Sequence, residues 1–291
     1  MKIDLHIHSK DCSDGRLPLG EIFQIAHERG IKFISITDHD AIDCQGRAIS
    51  LARKYHIYYL TGVELNINFS APGYNRGKAI SLDILGYGYD PEDDAIKAKT
   101  RDLREHREKR AREILQRINS ELEKEGIKPF GNEDMAAIES SVDGAFGRPH
   151  IARYMVHKGL VKNVKEAFDK YLVRCDVPKF PLSLKHASSL IRNAGGKVVL
   201  AHGNNPNGTS LYSFTSDLEE QLRIVKDYML EYLDGLECWH SRHDSATTDS
   251  YLAFARKHRL LVTGGSDCHQ NPIKIGTLDI PSYVADQFQF I

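Results

Sequence analysis

The sequence has few cysteines, almost no net charge and no long apolar run, and each shortage excludes a class of protein. Five cysteines are scattered through 291 residues without a CxxC pair, which predicts reduced thiols in a cytoplasmic protein rather than a disulfide framework. With a formal net charge of -1, the chain has no overall positive electrostatic field that would attract it to nucleic acid or to an anionic membrane. No stretch approaches the roughly 18 apolar residues of a membrane span, and the N-terminus lacks the apolar core of a signal peptide.

Apolar strands alternate with amphipathic helices at both ends of the chain. We predict strands at 2–7, 31–37, 57–63, 79–86, 197–201, 235–238 and 260–263, and helices at 19–29, 45–55, 183–194, 217–232 and 247–258. Near-continuous apolar strands separated by helices are typical of a parallel sheet covered by helices. About seven such strands fit an α/β barrel of parallel strands with its site at their carboxyl ends.

The middle of the chain has a different pattern. Residues 97–125 predict one long charged helix, and no good strand pattern occurs between residues 90 and 195. We therefore expect a barrel domain formed by 1–90 and 183–291, interrupted by a helical insertion, or lid, at 91–182. Basic and acidic residues alternate on the long helix, which favours a solvated, salt-bridged face over a nucleic-acid contact.

Metal-ligating residue types follow, or lie within, most of the predicted strands. They are His6, His8, Asp14, His39, Glu64, Asp83, His202, His240, His243, Asp267 and His269. Side chains two residues apart on a strand share a face, so His6 and His8 should lie side by side. Because the strand ends of a parallel barrel open onto one mouth, we expect the whole set to converge there. Mixed nitrogen and oxygen ligands favour a divalent ion and hydrolytic chemistry.

These motifs resemble those of the PHP (polymerase and histidinol phosphatase) superfamily, in its branch of stand-alone metal-dependent phosphoesterases. The resemblance is carried by His6-Ile7-His8, Ser13-Asp14-Gly15, Thr37-Asp38-His39-Asp40, Gly62-Val63-Glu64, Ala201-His202, Gly265-Ser266-Asp267-Cys268-His269 and, in the insertion, Gly147-Arg148-Pro149-His150. It implies a distorted seven-stranded (β/α)7 barrel that holds two or three divalent metal ions, with Mn²⁺ favoured and Fe²⁺ or Zn²⁺ also compatible.

The resemblance also implies how the ligands divide among the ions. One ion would be held by His6, His8, Glu64 and Asp267. A second would share Glu64 and add Asp83 and His202, and a third would take Asp14, His39 and His269. The family commonly has histidine where this chain has Asp83, and the harder carboxylate ligand shifts the preference towards manganese.

Hydrolysis by this set is expected to use a hydroxide that bridges the metals and attacks phosphorus in line with the leaving alkoxide. Arg148 precedes Pro149 at a predicted helix N-terminus, a place that favours anions, and is a candidate phosphate clamp. His150 and His243 are candidates for binding phosphate or for protonating the leaving oxygen.

We expect a phosphoesterase that acts on a small phosphorylated metabolite, such as a nucleotide 3',5'-bisphosphate, a sugar cyclic phosphate or another phosphomonoester. The alternatives are a 5'-3' exonuclease on short oligonucleotides, histidinol-phosphate phosphatase and, outside the enzymes, a PHP scaffold without activity. Retention of nearly all ligand types argues against the scaffold, and near-neutral charge weakens tight polymer binding. We expect no membrane partner, and the sequence does not indicate an oligomeric state.

Overall fold

The computed structural model describes residues 1–141, 147–206, 208–269 and 272–288. Its strands are β1 (Lys2–Ile7), β2 (Ile31–Ile36), β3 (Tyr58–Tyr59), β4 (Gly62–Phe69), β5 (Ile80–Tyr87), β6 (Lys197–Leu200), β7 (Gly235–His240) and β8 (Leu261–Gly265). Its helices are α1 (Leu19–Glu28), α2 (Gln45–Tyr55), α3 (Asp94–Lys124), α4 (Asn132–Ser140), α5 (Arg148–His157), α6 (Val164–Ala167), α7 (Leu184–Asn193), α8 (Leu218–Tyr228) and α9 (Ser245–His258). The predicted mixture of helices and strands is confirmed.

The strands form two sheets, and a closed seven-stranded barrel is not confirmed. One sheet has the order β1-β2-β3 and is parallel, while the other has the order β4-β5-β6-β7-β8. The sheets approach each other at two places, where isolated parallel bridges join Ile7 to Cys268 and His39 to Glu64. These contacts bring the ends of β1, β2 and β8 to one edge of the molecule, next to β4.

The prediction that all strands are parallel is wrong for β5, which runs antiparallel to both β4 and β6. Residues 70–79 connect β4 to β5 without an α-helix, and so short a connection suits an antiparallel pair rather than a parallel crossover. The register places Asp83 directly opposite Asn66. Since alternate strand residues share a face, Glu64 lies on that same face. Both acids therefore lie inside strands and not at strand ends.

The described residues between β5 and β6 contain helices and no strand. Helices α3 and α5 and the turns after α6 pack around a separate apolar cluster that includes Ile114, Ile118, Met155 and Tyr171. From α3, Arg104 reaches back to Asp43 at 2.8 Å, and Arg107 pairs with Asp40. The division into an α/β domain and a helical insertion stays a prediction that this separate cluster supports. None of the described helices is long and apolar enough to cross a membrane.

The expectation of reduced thiols is wrong for two of the five cysteines, because Cys12 and Cys44 form a disulfide. The other three, Cys175, Cys238 and Cys268, are free and buried. Cys12 lies in the loop after β1 and Cys44 in the segment after β2. No pattern in the sequence indicated this pairing, because it depends on how two loops meet in the fold, with 32 residues separating the two cysteines. The disulfide ties together the two loops that carry Asp14 and His39.

Replacing both Cys12 and Cys44 by serine should lower the free energy of unfolding by roughly 3 kcal/mol, because the cross-link restricts the unfolded chain. Denaturant unfolding without reductant, compared with wild type, measures this difference. Wild-type protein treated with a thiol reductant in denaturant is the matched control and should fall to the stability of the double variant. Equal stability of oxidised wild type and the double variant would contradict a stabilising role for the bond.

Candidate metal centre

The last residues of β1 and the residue after it bring two histidines to one buried point. His6 and His8 are almost inaccessible to solvent, and their Nε2 atoms lie 3.1 Å apart. Behind them, Nδ1 of His6 lies 2.9 Å from Oε1 of Glu237 on β7. A carboxylate at Nδ1 fixes the proton there, so that Nε2 presents a lone pair to the site. Gly265 on β8 makes room for this arrangement, since a Cβ there would lie only 2.3 Å from Cβ of His6.

Glu64 is the carboxylate at the centre of the site. Its Oε1 lies 2.9 Å from Nε2 of His202 and 3.5 Å from Nε2 of His6. Its Oε2 lies 2.9 Å from Nδ1 of His39 and 3.2 Å from Nε2 of His8. Four imidazoles from three separate segments therefore surround one buried carboxylate, which is the surrounding expected for the position predicted to be shared between ions.

Asp267, directly after β8 in the loop Ser266-Asp267, forms the second focus of the site. Its Oδ1 lies 3.2 Å from Nδ1 of His269 and 3.4 Å from Nε2 of His8. Nε2 of His269 in turn lies 3.3 Å from Oδ1 of Asp14. The loop is held by Asp4, which accepts hydrogen bonds from the backbone N–H groups of Ser266 and Gly276. Asp4 of β1 thus helps to position Asp267 in the loop after β8.

Potential ligand atoms gather in three overlapping groups, within 4.8 Å of one another in each. A fourth group, Cys12, Asp38 and Cys44, does not overlap with these, and its two sulfur atoms form the disulfide. The three overlapping groups are His8, Asp14, His39 and His269; His6, His8 and Asp267; and His6, Glu64 and His202. Eight of the nine predicted ligands belong to them, and His6 and His8 each belong to two.

The donor set fits divalent metal ions. Oε2 of Glu64 and Oδ1 of Asp267 are buried and accept no hydrogen bond from a described group. Buried carboxylate oxygens without a donor are costly unless a cation compensates them. Imidazole nitrogen and carboxylate oxygen converge on the same points without cysteine, a combination that suits manganese, iron or zinc.

Opposite charges stabilise each other throughout the cluster. Burial alone would lower the pKa of His202, but the Glu64 carboxylate outweighs it and raises that pKa to about 9. Burial would likewise raise the pKa of Glu64, yet His39 and His6 hold it well below its ordinary value. His269 does the same for Asp14, whose pKa is well below the usual range. The carboxylates are therefore ionised and ready to bind cations at neutral pH.

Asp83 is the ninth predicted ligand, and unlike the other eight its carboxylate is engaged by hydrogen bonds outside the three ligand groups. Its Oδ1 accepts a hydrogen bond from Nδ2 of Asn66, and its Oδ2 accepts one from the hydroxyl of Thr209. Nε2 of His202 is 3.8 Å from Oδ2. Asp83 lies outside the three ligand groups, although it lines the same cavity. Burial raises its pKa, and the neighbouring Glu64 charge raises it further.

Of the three residues predicted to handle phosphate, only Arg148 lines the cavity of about 400 Å³ at the metal centre. Its guanidinium pairs with Oδ2 of Asp176 at 2.9 Å. Nδ1 of His150 accepts a hydrogen bond from the N–H of Gly147, and His150 lines a neighbouring cavity instead. His243 donates from Nδ1 to the carbonyl of Cys238, and burial lowers its pKa to about 4. The structure therefore places His150 and His243 away from the described lining of the metal-centre cavity.

Sequence reasoning missed three features of the site. Glu237 orients His6, and its Oε2 also accepts the backbone N–H of His202 at 2.7 Å. The sequence does contain a sign of Glu237, because it is a single acidic residue inside the otherwise apolar strand β7. Arg107 of α3 and Lys179 also line the cavity of the metal centre. Nothing in the sequence could distinguish Arg107 from the many other basic residues of its helix.

Replacing Glu237 by glutamine should weaken metal binding by about 10- to 100-fold, since loss of the carboxylate at Nδ1 frees His6 to change tautomer. Titration of metal-depleted protein with Mn²⁺, followed by calorimetry, measures the change. Glu231→Gln, an exposed acid on the segment before β7, is the control and should bind metal like wild type. Unchanged affinity in the Glu237 variant would show that the carboxylate does not support His6 as a ligand.

Comparison with known proteins agrees with this site. The PHP domain family matches residues 4–176. A 3',5'-nucleoside bisphosphate phosphatase of Chromobacterium violaceum is 30% identical over 275 residues, which cover 92% of this chain and 87% of that protein. A 5'-3' exoribonuclease of Haemophilus influenzae is 29% identical over 92% of this chain and 90% of its own. A phosphoribosyl 1,2-cyclic phosphate 1,2-diphosphodiesterase of Eggerthella lenta is 26% identical over 91% of this chain and 93% of its own.

Two solved structures share the whole fold. A candidate metal-dependent phosphoesterase of Bifidobacterium adolescentis superposes with a TM-score of 0.79 at 26% identity, over 98% of this chain and 94% of that one. A Chromobacterium violaceum protein described as an amidohydrolase, with bound sulfate and no metal, superposes with a TM-score of 0.77 at 28% identity. The match covers 97% of this chain and 93% of that one. Fold and site together define a metal-dependent phosphoesterase, a hydrolase of phosphoric esters. The chain belongs to the PHP domain family.

Proposed function

We propose that this protein hydrolyses a phosphate ester of a small nucleotide-like metabolite with the help of two or three divalent metal ions. The observation that carries the proposal is the position of the three ligand groups. Six of their eight residues line a cavity of about 400 Å³, and the other lining residues are largely basic or hydrogen-bonding. Such a cavity suits a small molecule, and its ligands suit the activation of water beside a phosphate.

Manganese is the ion that we favour. One ion would be held by His6, His8, Glu64 and Asp267, and another by Asp14, His39 and His269. His202 would bind an ion that shares Glu64, with Asp83 as a more distant member. When bound, the ions would supply Lewis-acid polarisation of the phosphate and lower the pKa of water. The absence of cysteine from the three groups and the presence of carboxylate oxygens support a hard ion.

The protein's own cations would neutralise the substrate phosphate. Arg107, Arg148, Lys179 and Arg242 line the cavity with the metal ligands. Arg107 pairs with Asp40 and Arg148 with Asp176, whereas Lys179 makes no ion pair with a described residue. Burial lowers the pKa of Lys179, and the charge of Asp83 opposes this shift. We propose that Lys179 contacts a phosphoryl oxygen directly, and that Arg148 contributes by leaving Asp176 when substrate binds.

The substrate class follows from size, charge and relatives. The names of the relatives give a nucleoside bisphosphate, RNA and a phosphoribosyl cyclic phosphate as their substrates. In each of these substrates a phosphate is attached to a pentose. We propose a ribose phosphate ester of nucleotide type for this chain as well. Exonucleolytic removal of nucleotides from a short RNA is the second candidate, because a further basic cavity adjoins the metal centre.

A substrate panel tests the proposal. Manganese-loaded protein should release phosphate or nucleotide from at least one member of a set of nucleoside monophosphates, 3',5'-bisphosphates, cyclic phosphates and 5'-phosphorylated oligonucleotides. Asp267→Asn protein, purified and loaded in the same way, controls for contaminating phosphatases. No turnover of any member by the wild-type enzyme, or equal turnover by the variant, would contradict the proposal.

A further inference from the structure

His240, the last residue of β7, is buried beside the metal centre but belongs to none of the three ligand groups. In the parallel pairing of β7 with β8 it lies next to Gly265, two residues before Asp267. Asp267 and Arg242 line the cavity of the metal centre, whereas His240 is not part of the described lining. His240 can therefore act on the reaction only through its neighbours.

An extra residue in β7 turns His240 towards the site. Between the pair that Glu237 makes with β8 and the pair that Trp239 makes, β7 contains one residue more than β8. In a regular strand Glu237 and His240, three residues apart, would point to opposite faces of the sheet. A bulge of one residue reverses this alternation and brings both to one face. The same strand thus supplies the acid behind His6 and a histidine beside Asp267.

Both ring nitrogens of His240 are engaged. The backbone N–H of Arg242 donates to Nδ1 at 3.2 Å, and Nε2 lies 3.2 Å from Oδ2 of Asp267. Because a backbone N–H can only donate, Nδ1 carries no proton and the ring proton is on Nε2. His240 is therefore a hydrogen-bond donor to Asp267, with a tautomer that is fixed by the turn after β7.

Neighbouring imidazoles hold the ring of His240 in place. Its centroid lies 5.3 Å from those of His202 and His243 and 6.1 Å from that of His6. The side chain is fully shielded from solvent. A ring that is packed among three others, with both nitrogens engaged, keeps one orientation and can fix the carboxylate in front of it.

The two oxygens of Asp267 face different partners. Oδ2 faces His240, whereas Oδ1 forms no hydrogen bond with a described group. Oδ1 lies 3.5, 3.4 and 3.2 Å from ring nitrogens of His6, His8 and His269. The backbone N–H of Asp267 donates to the carbonyl of His6 at 2.8 Å. The backbone thus places the carboxylate, and the hydrogen bond from His240 decides which oxygen is turned to the ligand groups.

We propose that His240 is a positioning residue of the metal centre, which holds Oδ2 of Asp267 so that Oδ1 points to the ion shared with His6 and His8. The inference rests on the proposed function, because it assigns a role towards the ions that this function requires. A donor that fixes a ligating carboxylate supports metal affinity without touching ion or substrate, and its loss weakens binding by about 10- to 100-fold. His240 supports Asp267 as Glu237 supports His6.

Two amide variants test the hydrogen bond itself. The amide nitrogen of glutamine is as many bonds from Cβ as Nε2 of histidine, whereas that of asparagine corresponds to Nδ1. Calorimetric titration of metal-depleted protein with Mn²⁺ should give a Kd about tenfold or more weaker for His240→Asn, and within about threefold of wild type for His240→Gln. His27→Asn, which changes an exposed histidine on α1, is the matched control and should bind like wild type.

His240→Phe keeps a ring but lacks both nitrogens, and it should show the same loss as His240→Asn if the asparagine variant does not fold. Wild-type affinity in the folded variants among these two would overturn the inference. A glutamine variant as weak as the asparagine variant would overturn it as well, because the position of the donor would then not matter.

A double-mutant cycle shows whether His240 acts through Asp267. Asp267→Asn already removes the carboxylate, so adding His240→Asn should change the Kd for Mn²⁺ by less than about twofold. A general effect of His240 on folding would instead weaken binding by the same factor in both backgrounds. Equal factors would therefore overturn the inference.

The titration needs no phosphoester, so the two claims fail separately. Wild type that binds no Mn²⁺ would contradict the proposed function and this inference together. Wild type that binds Mn²⁺ and hydrolyses an ester, while His240→Asn and His240→Phe keep its affinity, would contradict this inference alone. The predicted loss of affinity in a protein that hydrolyses no member of the panel would contradict the proposed function alone.

Discussion

Replacing Glu64 by glutamine should lower kcat/KM for phosphoester hydrolysis by about a thousandfold or more. Glu64 is fully buried and lies within 3.5 Å of four imidazoles, those of His6, His8, His39 and His202. Glutamine keeps the size of the side chain but removes the charge, and it turns one oxygen into a donor that points at imidazole nitrogen. An amide cannot replace a carboxylate shared between metal ions, so the loss should come from missing metal.

Metal analysis and steady-state kinetics on the same preparation check this expectation. The variant should contain less metal than wild type, by at least one equivalent per chain. Its thermal unfolding should remain cooperative. Glu123→Gln, an exposed acid on α3, is the control for the chemical change alone. A Glu64→Gln enzyme with full metal content and activity within tenfold of wild type would show that the centre is not organised around this residue.

Adding Mn²⁺ to chelator-treated protein should raise the melting temperature by roughly 10 °C. A ligand that binds only the folded state at 1,000 times its Kd stabilises that state by about 4 kcal/mol. For a chain of this size each kcal/mol corresponds to roughly 2–4 °C. The effect is expected to be large because Oε2 of Glu64 and Oδ1 of Asp267 are buried and form no hydrogen bond with a described group, although imidazole nitrogens lie close to both. Bound cations would compensate both oxygens.

Differential scanning calorimetry across a manganese titration measures this stabilisation. Asp267→Asn should give a smaller rise, because it removes a ligand from the group with His6 and His8. Magnesium at the same concentration controls for general ionic effects and should stabilise less, since imidazole is a poor ligand for it. A rise that is the same for wild type and Asp267→Asn would place the stabilising ion elsewhere.

Much of the candidate metal centre could be predicted from the sequence, because local rules are enough to place its first residues on one face. His6 and His8 share a face by strand alternation, and both converge with Glu64 and Asp267 as expected. The helices and strands of the α/β part also lie close to their predicted positions, since apolar periodicity there is strong. The family resemblance then named the remaining ligands, of which His39, His202 and His269 lie in the three groups.

The features that sequence reasoning missed depend on long-range packing. Asp83 was expected inside a strand of a parallel sheet, but the short connection after β4 makes β5 antiparallel and places Asp83 opposite Asn66. The Cys12–Cys44 bond joins loops whose approach no local pattern reveals. His243 follows β7 and was a candidate for binding phosphate or protonating the leaving oxygen, yet its ring packs beside Tyr251. Direction, register and loop contacts are set by the assembled fold.

The most direct test of the metal-centre account is a joint measurement of metal content and phosphoester hydrolysis on protein purified without chelator. Plasma mass spectrometry should find two or three equivalents of divalent transition metal, and hydrolysis should disappear on chelation and return with Mn²⁺. Protein that carries no metal, and that remains inert towards every phosphoester of the panel after Mn²⁺ is added, would contradict the account.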